Sequence, residues 1–334
     1  MTELRLRTML AVLLALLGLG AFAQPGPPRV EATSLFGRPL VAPSVLPNQR
    51  TLEEDLRTAQ VEAAAKPDDP EALIWLGRRQ AYLWRFQDAI ATFGRGIARW
   101  PDNPKFYRHR GHRFITTRQF TRAQEDFERA ALLVRGRPDE VEPDGAPNAA
   151  GVPRSTLQFN IWYHLGLTRY LRADFQGAYE AYVECMKVST NDDSIVATSD
   201  WMWMTLMRLG RVADASRVLE RITPTMDILE NGSYHRRLQM YKGLETPESL
   251  LGPAASRFPA SAPTSAGAQR AGAGAVPAVD DATTVATQGY GVGNYYFVRG
   301  DRAEARRIFE RVVSGAGWNA FGFIAAEADL ERQR

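Results

Sequence analysis

Three of the four histidines are spaced so that they could supply metal ligands. His109 and His112 are three residues apart and would share one face of a helix, and His164 could approach them from a neighbouring element. Three imidazoles can hold zinc and leave a fourth coordination position open. No acidic ligand completes a helical His/Glu signature around them. The positions around the first two histidines instead carry cations that would repel a metal, namely Arg108, Arg110 and Arg113. We therefore expect no metal site.

Two other features have the form of a reactive site. Cys185 is the only cysteine, which excludes an intrachain disulfide, and its small-apolar position predicts a buried structural thiol. Gly289, Gly291 and Gly293 imitate a phosphate-binding loop, but no strand precedes them. No Ser/His/Asp set or carboxylate pair stands out in the sequence. We expect a protein with no cofactor and no enzymatic activity.

The composition describes a folded protein with a weak basic bias. Of 334 residues, 45% are hydrophobic and 24% are charged, which excludes a wholly disordered chain. The formal net charge is only +3, too small a basic excess to predict nucleic-acid binding. The length favours two domains or a repeat array.

The first 23 residues have the pattern of a secretory signal peptide. Arg5 and Arg7 precede an apolar run from Met9 to Leu19, and a small residue, Phe22 and Ala23 follow as a cleavage site. A membrane anchor would need about 20 apolar residues, and this run is shorter. We expect cleavage after Ala23, a periplasmic or secreted mature chain, and no integral membrane span in it.

Changes in composition divide the mature chain into segments. Residues 24–50 are rich in proline and predict an extended leader, and residues 51–251 show helical periodicity with a loop insertion at 136–153. Residues 252–281 form an Ala/Pro/Gly/Ser linker that we expect to be disordered, because it has almost no large apolar residue to bury. Residues 282–334 predict a final repeat and a closing helix.

The helical segments repeat. The step from Gly77 to Gly111 equals the step from Ala89 to Ala123, and a period of about 34 residues predicts a helical repeat. In four copies an alanine follows the glycine at the same distance, with an aromatic four positions further on. The residues expected to pack the repeats are Gly77, Ala89, Phe93, Gly111, Ala123, Phe127, Gly166, Ala178, Tyr182, Ala215, Gly293, Ala305 and Phe309.

This spacing has a physical reason. The glycine and the alanine lie where two paired helices approach closest, and the aromatic lies one turn beyond the alanine on the same face. We expect it to fill the space between one unit and the next. A single pair leaves an apolar face exposed, so several must stack to bury a core.

These residues resemble tetratricopeptide repeats, of the kind found in exported bacterial proteins. The similar segments are Glu71–Pro101, Lys105–Arg135, Asn160–Thr190, Ala197–Asp227 and Thr287–Gly317, with a truncated unit at Tyr234–Leu251 and a closing helix at Trp318–Arg334. The resemblance implies an all-α, right-handed α-solenoid with a concave groove lined by the first helices. The composition of the loop insertion and of the linker predicts two disordered insertions in it. Trp203 departs from the pattern, because it replaces the small residue of the fourth unit.

The outward positions of the first helices carry aromatic and basic side chains, which suit binding hot spots and acidic groups. The residues predicted to line the groove are Trp75, Arg78, Tyr82, Lys105, Arg108, His109, His112, Tyr163, His164, Tyr170 and Trp201. They predict a non-catalytic scaffold or adaptor that binds a partner protein or an acidic peptide segment.

A second interpretation stays open. The rings at positions 75, 82, 163, 170 and 201 could stack on sugars, as in an accessory polysaccharide-binding subunit of an envelope or export complex. Near the C-terminus, Trp318, Phe321 and Phe323 could cap the last unit or support self-association.

Overall fold

The computed structural model describes residues 29–143, 148–251 and 279–334, and within these ranges the chain is almost entirely helical. The helices are α1 (Gln49–Ala65), α2 (Pro70–Tyr82), α3 (Phe86–Arg99), α4 (Pro104–Thr116), α5 (Phe120–Val134), α6 (Leu157–Leu171), α7 (Phe175–Val188), α8 (Asp192–Arg208), α9 (Val212–Glu220), α10 (Gly232–Tyr241), α11 (Pro247–Leu251), α12 (Val279–Val298), α13 (Arg302–Val313) and α14 (Phe321–Glu331). None of them is long and apolar enough to cross a lipid bilayer.

Ten of these helices form five pairs, which confirms the predicted all-α repeat solenoid. Units 1 to 5 are the pairs α2/α3, α4/α5, α6/α7, α8/α9 and α12/α13. The first two units begin alike, since Asp69 and Asn103 accept a backbone hydrogen bond as N-caps and a proline follows each. The two caps are separated by one repeat period and fix where each first helix starts.

The turn inside each unit contains one residue in the left-handed backbone conformation. Units 4 and 5 use Gly210 and Gly300 there, and unit 3 uses Ala173. Units 1 and 2 place Trp84 (φ 58°) and Arg118 (φ 63°) at the same position. A left-handed non-glycine residue costs about 1–2 kcal/mol, so these two side chains must be kept for contacts made elsewhere.

The repeat glycines make room for the aromatic residue on the second helix of the same unit. A methyl group on Gly166 would lie 2.6 Å from the ring of Tyr182, and one on Gly111 would lie 2.9 Å from Phe127. Gly77 and Gly293 are covered in the same way. The aromatics also reach the next unit, as predicted, because Phe127 stacks on His164 at 5.6 Å. The predicted alanines of all five units are buried.

Unit 4 accommodates its tryptophan through a neighbouring helix. Trp203 stacks on Tyr241 of α10, with ring centroids 3.7 Å apart and planes 9° from parallel. The second helix of this unit, α9, has only nine residues. The truncated unit at α10 and α11 therefore supplies the partner for the side chain that breaks the repeat pattern.

The N-terminal leader is more structured than an extended segment. Strands β1 (Val30–Thr33) and β2 (Pro39–Val41) pair antiparallel, and α1 begins at Gln49. The hairpin is fastened to unit 1, because Gln87 donates its backbone N–H to the buried carboxylate of Glu31 at 3.0 Å.

Several segment predictions fall wholly or partly outside the described residues. These are the signal peptide at 1–23, the start of the leader, residues 144–147 of the loop insertion and residues 252–278 of the linker. The last three residues predicted as linker, 279–281, already belong to α12.

Candidate functional site

The C-terminal helix α14 lies against the first helices of the array, where the sequence predicted an open groove. The Phe321 ring lies 5.3 Å from His112 of α4 and 5.5 Å from His164 of α6. Arg332, just after the helix, donates to the carbonyl of Leu171 at 2.8 Å. Part of the predicted groove is therefore occupied by the chain itself.

Two buried carboxylates anchor α14. Glu327 accepts from Arg118 Nε at 2.8 Å, and its other oxygen accepts from the backbone N–H of Leu35 at 2.8 Å. Asp329 pairs with Arg208 at 2.7 Å and accepts from Tyr290 at 2.9 Å. A buried charge is stable only when paired and hydrogen-bonded. The contact with Glu327 explains why Arg118 holds a strained backbone position.

The residues just before α14 close the array onto unit 1. The Trp318 ring meets Trp84 edge-on at 5.0 Å and Phe86 at 5.6 Å, and its Nε1 donates to the carbonyl of Val41 at 2.8 Å. Trp318 and Phe323 are buried. They cover the first units rather than only capping the last one, and Trp84 is the second strained residue with a role in this closure.

Two of the predicted groove residues are wrong as partner contacts. Tyr170 and Trp201 are fully buried, with ring centroids 5.2 Å apart. The hydroxyl of Tyr290 on α12 lies at hydrogen-bond distance, 2.8 Å, from that of Tyr170, and its ring stacks on Trp201 at 5.9 Å. Helix α12 covers this part of the first-helix face, so neither ring can reach a partner or a sugar.

The other predicted residues line cavities or lie half-buried near them. We call the space between α2 and α4 the cationic cavity; its volume is about 140 Å³. Its lining contains Arg78, Ala81, Tyr82, Phe93, Arg108, His109, His112, Arg113 and Glu142. Three guanidinium groups thus face one carboxylate among the described lining residues.

The charges in the cationic cavity are unevenly paired. Arg108 contacts Glu142 at 3.0 Å, while its Nε is buried without a hydrogen-bond partner among the described residues. Arg78 donates to the carbonyl of Pro143 at 2.7 Å and lies 4.3 Å above the ring of Trp75.

Arg113, like Arg78, makes no ion pair within the part of the chain that the structure describes. It instead makes a cation–π approach to Phe86 at 5.5 Å. Burial, and then the positive charge of Arg108, lower the pKa of Arg113 to about 9. A nearby anion would relieve both effects, so this side chain is suited to receive one.

The three histidines are packed between aromatic rings and stay uncharged. His109 stacks on Phe93 at 5.4 Å, and His112 and His164 lie 4.6 Å apart. Burial is the first cause that lowers the pKa of each, to about 3 for His164, and the arginine charges lower it further. Among the described residues, no group of three potential ligands is arranged to hold a metal ion.

Two further cavities continue from the cationic cavity, and His112 borders all three. The aromatic cavity, about 260 Å³, has Tyr163, Tyr234 and Phe321 in its wall. The polar mouth, about 520 Å³, carries hydroxyl and amide groups from both sides, including Ser233, Thr283, Thr284, Thr287 and Asn319. These spaces form one cleft that is cationic at one end and polar at the other, where Glu230 adds a carboxylate.

No family model and no curated protein matches the sequence. Among solved structures, a tetratricopeptide repeat protein from Parabacteroides merdae is 12% identical, with 85% of this chain and 94% of that chain covered and a TM-score of 0.44. YrrB, described as a TPR protein with an unusual peptide-binding site, is 11% identical, with 78% and 92% covered and a TM-score of 0.41. A putative kinesin light chain from Podosopora anserina is 13% identical, with 75% and 95% covered and a TM-score of 0.40.

The chain has a tetratricopeptide-type fold. Five helix pairs and the glycine–aromatic contact that recurs inside four of them define this fold. The fold leaves the ligand open, because function resides in the particular side chains of a site.

Features that imitate reactive sites have structural roles. Cys185 is buried, and burial raises the pKa of its thiol to about 12. The three glycines of α12 each make room for a side chain: Val312 at Gly289, Arg237 at Gly291 and Phe309 at Gly293. Arg237 is fully buried and pairs with Asp200 at 2.9 Å, which is why the array needs a glycine opposite it.

Sequence reasoning missed three contributors to the cleft. In the sequence, Arg113 indicates only a charge that repels metals, Glu142 lies in a predicted loop, and Phe321 lies on the closing helix. Glu142 and Phe321 reach the cleft through long-range packing that no local pattern encodes.

Proposed function

We propose that this chain is an extracytoplasmic interaction scaffold that binds an acidic segment of a partner protein at the cationic cavity. The observation that carries the proposal is the presence of three guanidinium groups and one carboxylate around a small cavity, with Arg113 unpaired among the described residues. Partly desolvated guanidinium groups form strong, directional hydrogen bonds with carboxylates.

The aromatic cavity supports a peptide rather than an isolated anion as the ligand. It adjoins the cationic cavity at His112 and offers apolar ring surface together with the hydroxyl groups of Tyr163 and Tyr234, which hydrogen-bond to each other at 3.1 Å. A peptide with a carboxylate at one end of its contact and neutral side chains beyond it matches this sequence of surfaces.

The experiment measures binding of two labelled dodecapeptides to the mature chain by fluorescence anisotropy. One alternates glutamate and alanine, and the other alternates glutamine and alanine. We expect only the glutamate peptide to bind, and its affinity to fall as salt is raised from low to high concentration, since exposed charge contacts are screened.

The variant that tests the site is Arg113→Gln, matched by Arg129→Gln on α5, where the arginine pairs with Asp102 outside the cleft. Loss of one charge-assisted contact costs about 1.5–3 kcal/mol, so the first variant should bind roughly 10–100-fold more weakly. The second should bind like the parent chain. Equal binding of both peptides, or equal affinity of both variants, would contradict the proposal.

The polysaccharide interpretation makes a different forecast. Two of its five rings are fully buried and a third, at position 163, is only 5% exposed, which leaves positions 75 and 82. A neutral glycan stacked on those rings would bind independently of salt and of Arg113.

The extracytoplasmic location is part of the proposal and rests on the signal-peptide pattern. Expression with the native N-terminus should yield an exported chain that begins at Gln24, as N-terminal sequencing would report. An uncleaved chain in the cytoplasm would refute this part without affecting the cleft.

A further inference from the structure

Two cationic side chains of α4, Lys105 and Arg108, are already in contact with acidic residues from the loop insertion. We call residues Glu140, Val141, Glu142 and Pro143 the acidic strap. It precedes α6 and runs beside the segment just before that helix. Val141 pairs with Thr156 in an isolated antiparallel bridge, and the strap exchanges backbone hydrogen bonds with residues 155 and 157 at 3.0 and 2.9 Å.

The strap presents its charges on one side. In an extended segment alternate residues face the same way, so Glu140 and Glu142 point together while Val141 points outward and is 61% exposed. Glu140 contacts Lys105 at 3.2 Å, and Glu142 contacts Arg108 at 3.0 Å.

The strap therefore covers residues that the sequence predicted as partner contacts. Lys105 and Arg108 are one turn apart on α4, a spacing that matches two carboxylates at alternate positions of an extended segment. The Pro143 carbonyl of the strap also accepts a hydrogen bond from Arg78. Asn160 Nδ2 donates a hydrogen bond to the second carboxylate oxygen of Glu142 at 2.9 Å. In the sequence, the alternation of acids continues at Asp144, which lies outside the described residues.

We infer that the acidic strap is an internal ligand, and that the partner is an extended acidic segment of the same chemistry that binds by replacing it. This inference rests on the proposed function and specifies its ligand: carboxylates at alternate positions, held by Lys105 and Arg108. The strap competes for the site from within the chain, so a partner binds only when its own acidic residues outcompete those of the strap.

The backbone pairing shows how the strap can leave without unfolding the array. Its backbone partners are Ser155, just before α6, and Leu157, the first residue of α6, whose side chain stays buried against α5. Asp139 keeps its own contacts with the start of α6, since it accepts from the backbone N–H of Gln158 at 3.0 Å and from Thr156 at 2.6 Å. The hinge for release therefore lies between Asp139 and Glu140.

The first test adds a labelled, end-blocked hexapeptide with the sequence of residues 138–143 to the full mature chain. A tethered competitor acts at an effective concentration on the order of millimolar. The Glu140→Gln/Glu142→Gln chain should therefore bind the hexapeptide about tenfold or more tightly than the parent chain. The matched control is Glu125→Gln/Glu220→Gln, which removes the same charge from exposed positions and should leave binding unchanged.

A scrambled hexapeptide that places the two glutamates side by side tests the register. Adjacent side chains of an extended segment face opposite ways, so this peptide should bind several-fold more weakly. The single variant Glu140→Gln, whose pair with Lys105 is half exposed, covers the case in which loss of the buried Glu142 carboxylate prevents folding. It should show a smaller gain in the same direction.

The second test needs no variant. With saturating glutamate–alanine dodecapeptide, the amides of Glu142 and Leu157 should lose protection against hydrogen exchange, because their bonds to the carbonyls of Ser155 and Glu140 break. Dodecapeptide binding with both amides still protected, together with equal hexapeptide affinity for the Gln variant and the parent, would overturn the internal-ligand inference alone. Failure of every chain to bind any acidic peptide would overturn the proposed function as well.

Discussion

Replacing the buried histidine His164 by phenylalanine should make the protein more resistant to acid. The ring lies between Phe127, His112 and Phe321 and is only 4% exposed. Burial, followed by the charge of Arg108, lowers its pKa from 6.5 to about 3. In the unfolded chain the same imidazole takes up a proton near pH 6.5, whereas in the folded protein it stays neutral.

The sign and size of the effect follow from proton linkage. A depressed pKa gives stability that is complete above pH 6.5 and is lost as the pH falls towards 3. Each pH unit in that window costs about 1.4 kcal/mol per histidine. At pH 4.5, two units below the unfolded pKa, His164 alone should have removed about 3 kcal/mol from the free energy of unfolding.

Asp200 titrates with the opposite sign. Burial raises its pKa to about 7 in spite of Arg237, so protonation in the folded state adds stability as the pH falls from 7 towards 3.8. This contribution is the same in both proteins and cancels in their difference. The contribution of His109 cancels likewise, because the charge of His164 is not among the causes that lower the pKa of His109.

The assay is urea unfolding followed by circular dichroism at pH 7.5, 6.0, 5.0 and 4.5. The difference in the free energy of unfolding between His164→Phe and the parent should change by about 3 kcal/mol in favour of the variant from pH 7.5 to 4.5. A difference that stays constant with pH would show that His164 is protonated in the folded protein and would refute this account of the cleft.

Two further pairs of variants test the packing of the repeats and the closure of the array. Gly166→Ala places a methyl group against Tyr182 and should destabilise the chain by about 1–3 kcal/mol. The control Gly94→Ala meets only Arg110 at 3.7 Å and should stabilise α3 by about 0.5–1 kcal/mol. If thermal unfolding shows Gly166→Ala to be the more stable of the two, the packing described is contradicted. Ala173→Gly relieves a left-handed residue and should gain about 0.5–1 kcal/mol. Arg118→Gly relieves the same strain but leaves Glu327 buried and unpaired, so we expect the free energy of unfolding to fall by about 3–5 kcal/mol. Equal stability of Ala173→Gly and Arg118→Gly in urea would show that the Glu327 contact is not formed.

The sequence was sufficient to predict the local architecture. A glycine and a later aromatic at a fixed spacing, with an alanine between them, describe a contact inside one helix pair, and proline after Asp69 or Asn103 marks where a first helix starts. Each of these signals acts within one repeat. The fold class could therefore be predicted without knowledge of the rest of the chain.

The cleft could not be predicted in the same way, because its walls come from distant parts of the chain. The contact between Leu35 and Glu327 spans 292 residues, and no periodicity encodes it. Two signals were present in the sequence. Tryptophan and arginine occupied turn positions 84 and 118, where other units have glycine or alanine, and two acids interrupted the apolar run of α14.

The burial of Tyr170 and Trp201 follows from the same limit. A repeat pattern places them on the outward side of the first helices, but it cannot show that α12 lies across that side. Aromatic rings on such a face serve a partner only if the chain leaves them uncovered.

Because α14 joins Arg118 to Arg208 and the hairpin to the last helices, the number of repeats in this protein is fixed by geometry. Open solenoids gain or lose repeats easily, since each unit touches only its neighbours. Here an added unit would move Glu327 and Asp329 out of reach of their arginines, and a nascent chain cannot complete its core until α14 has left the ribosome.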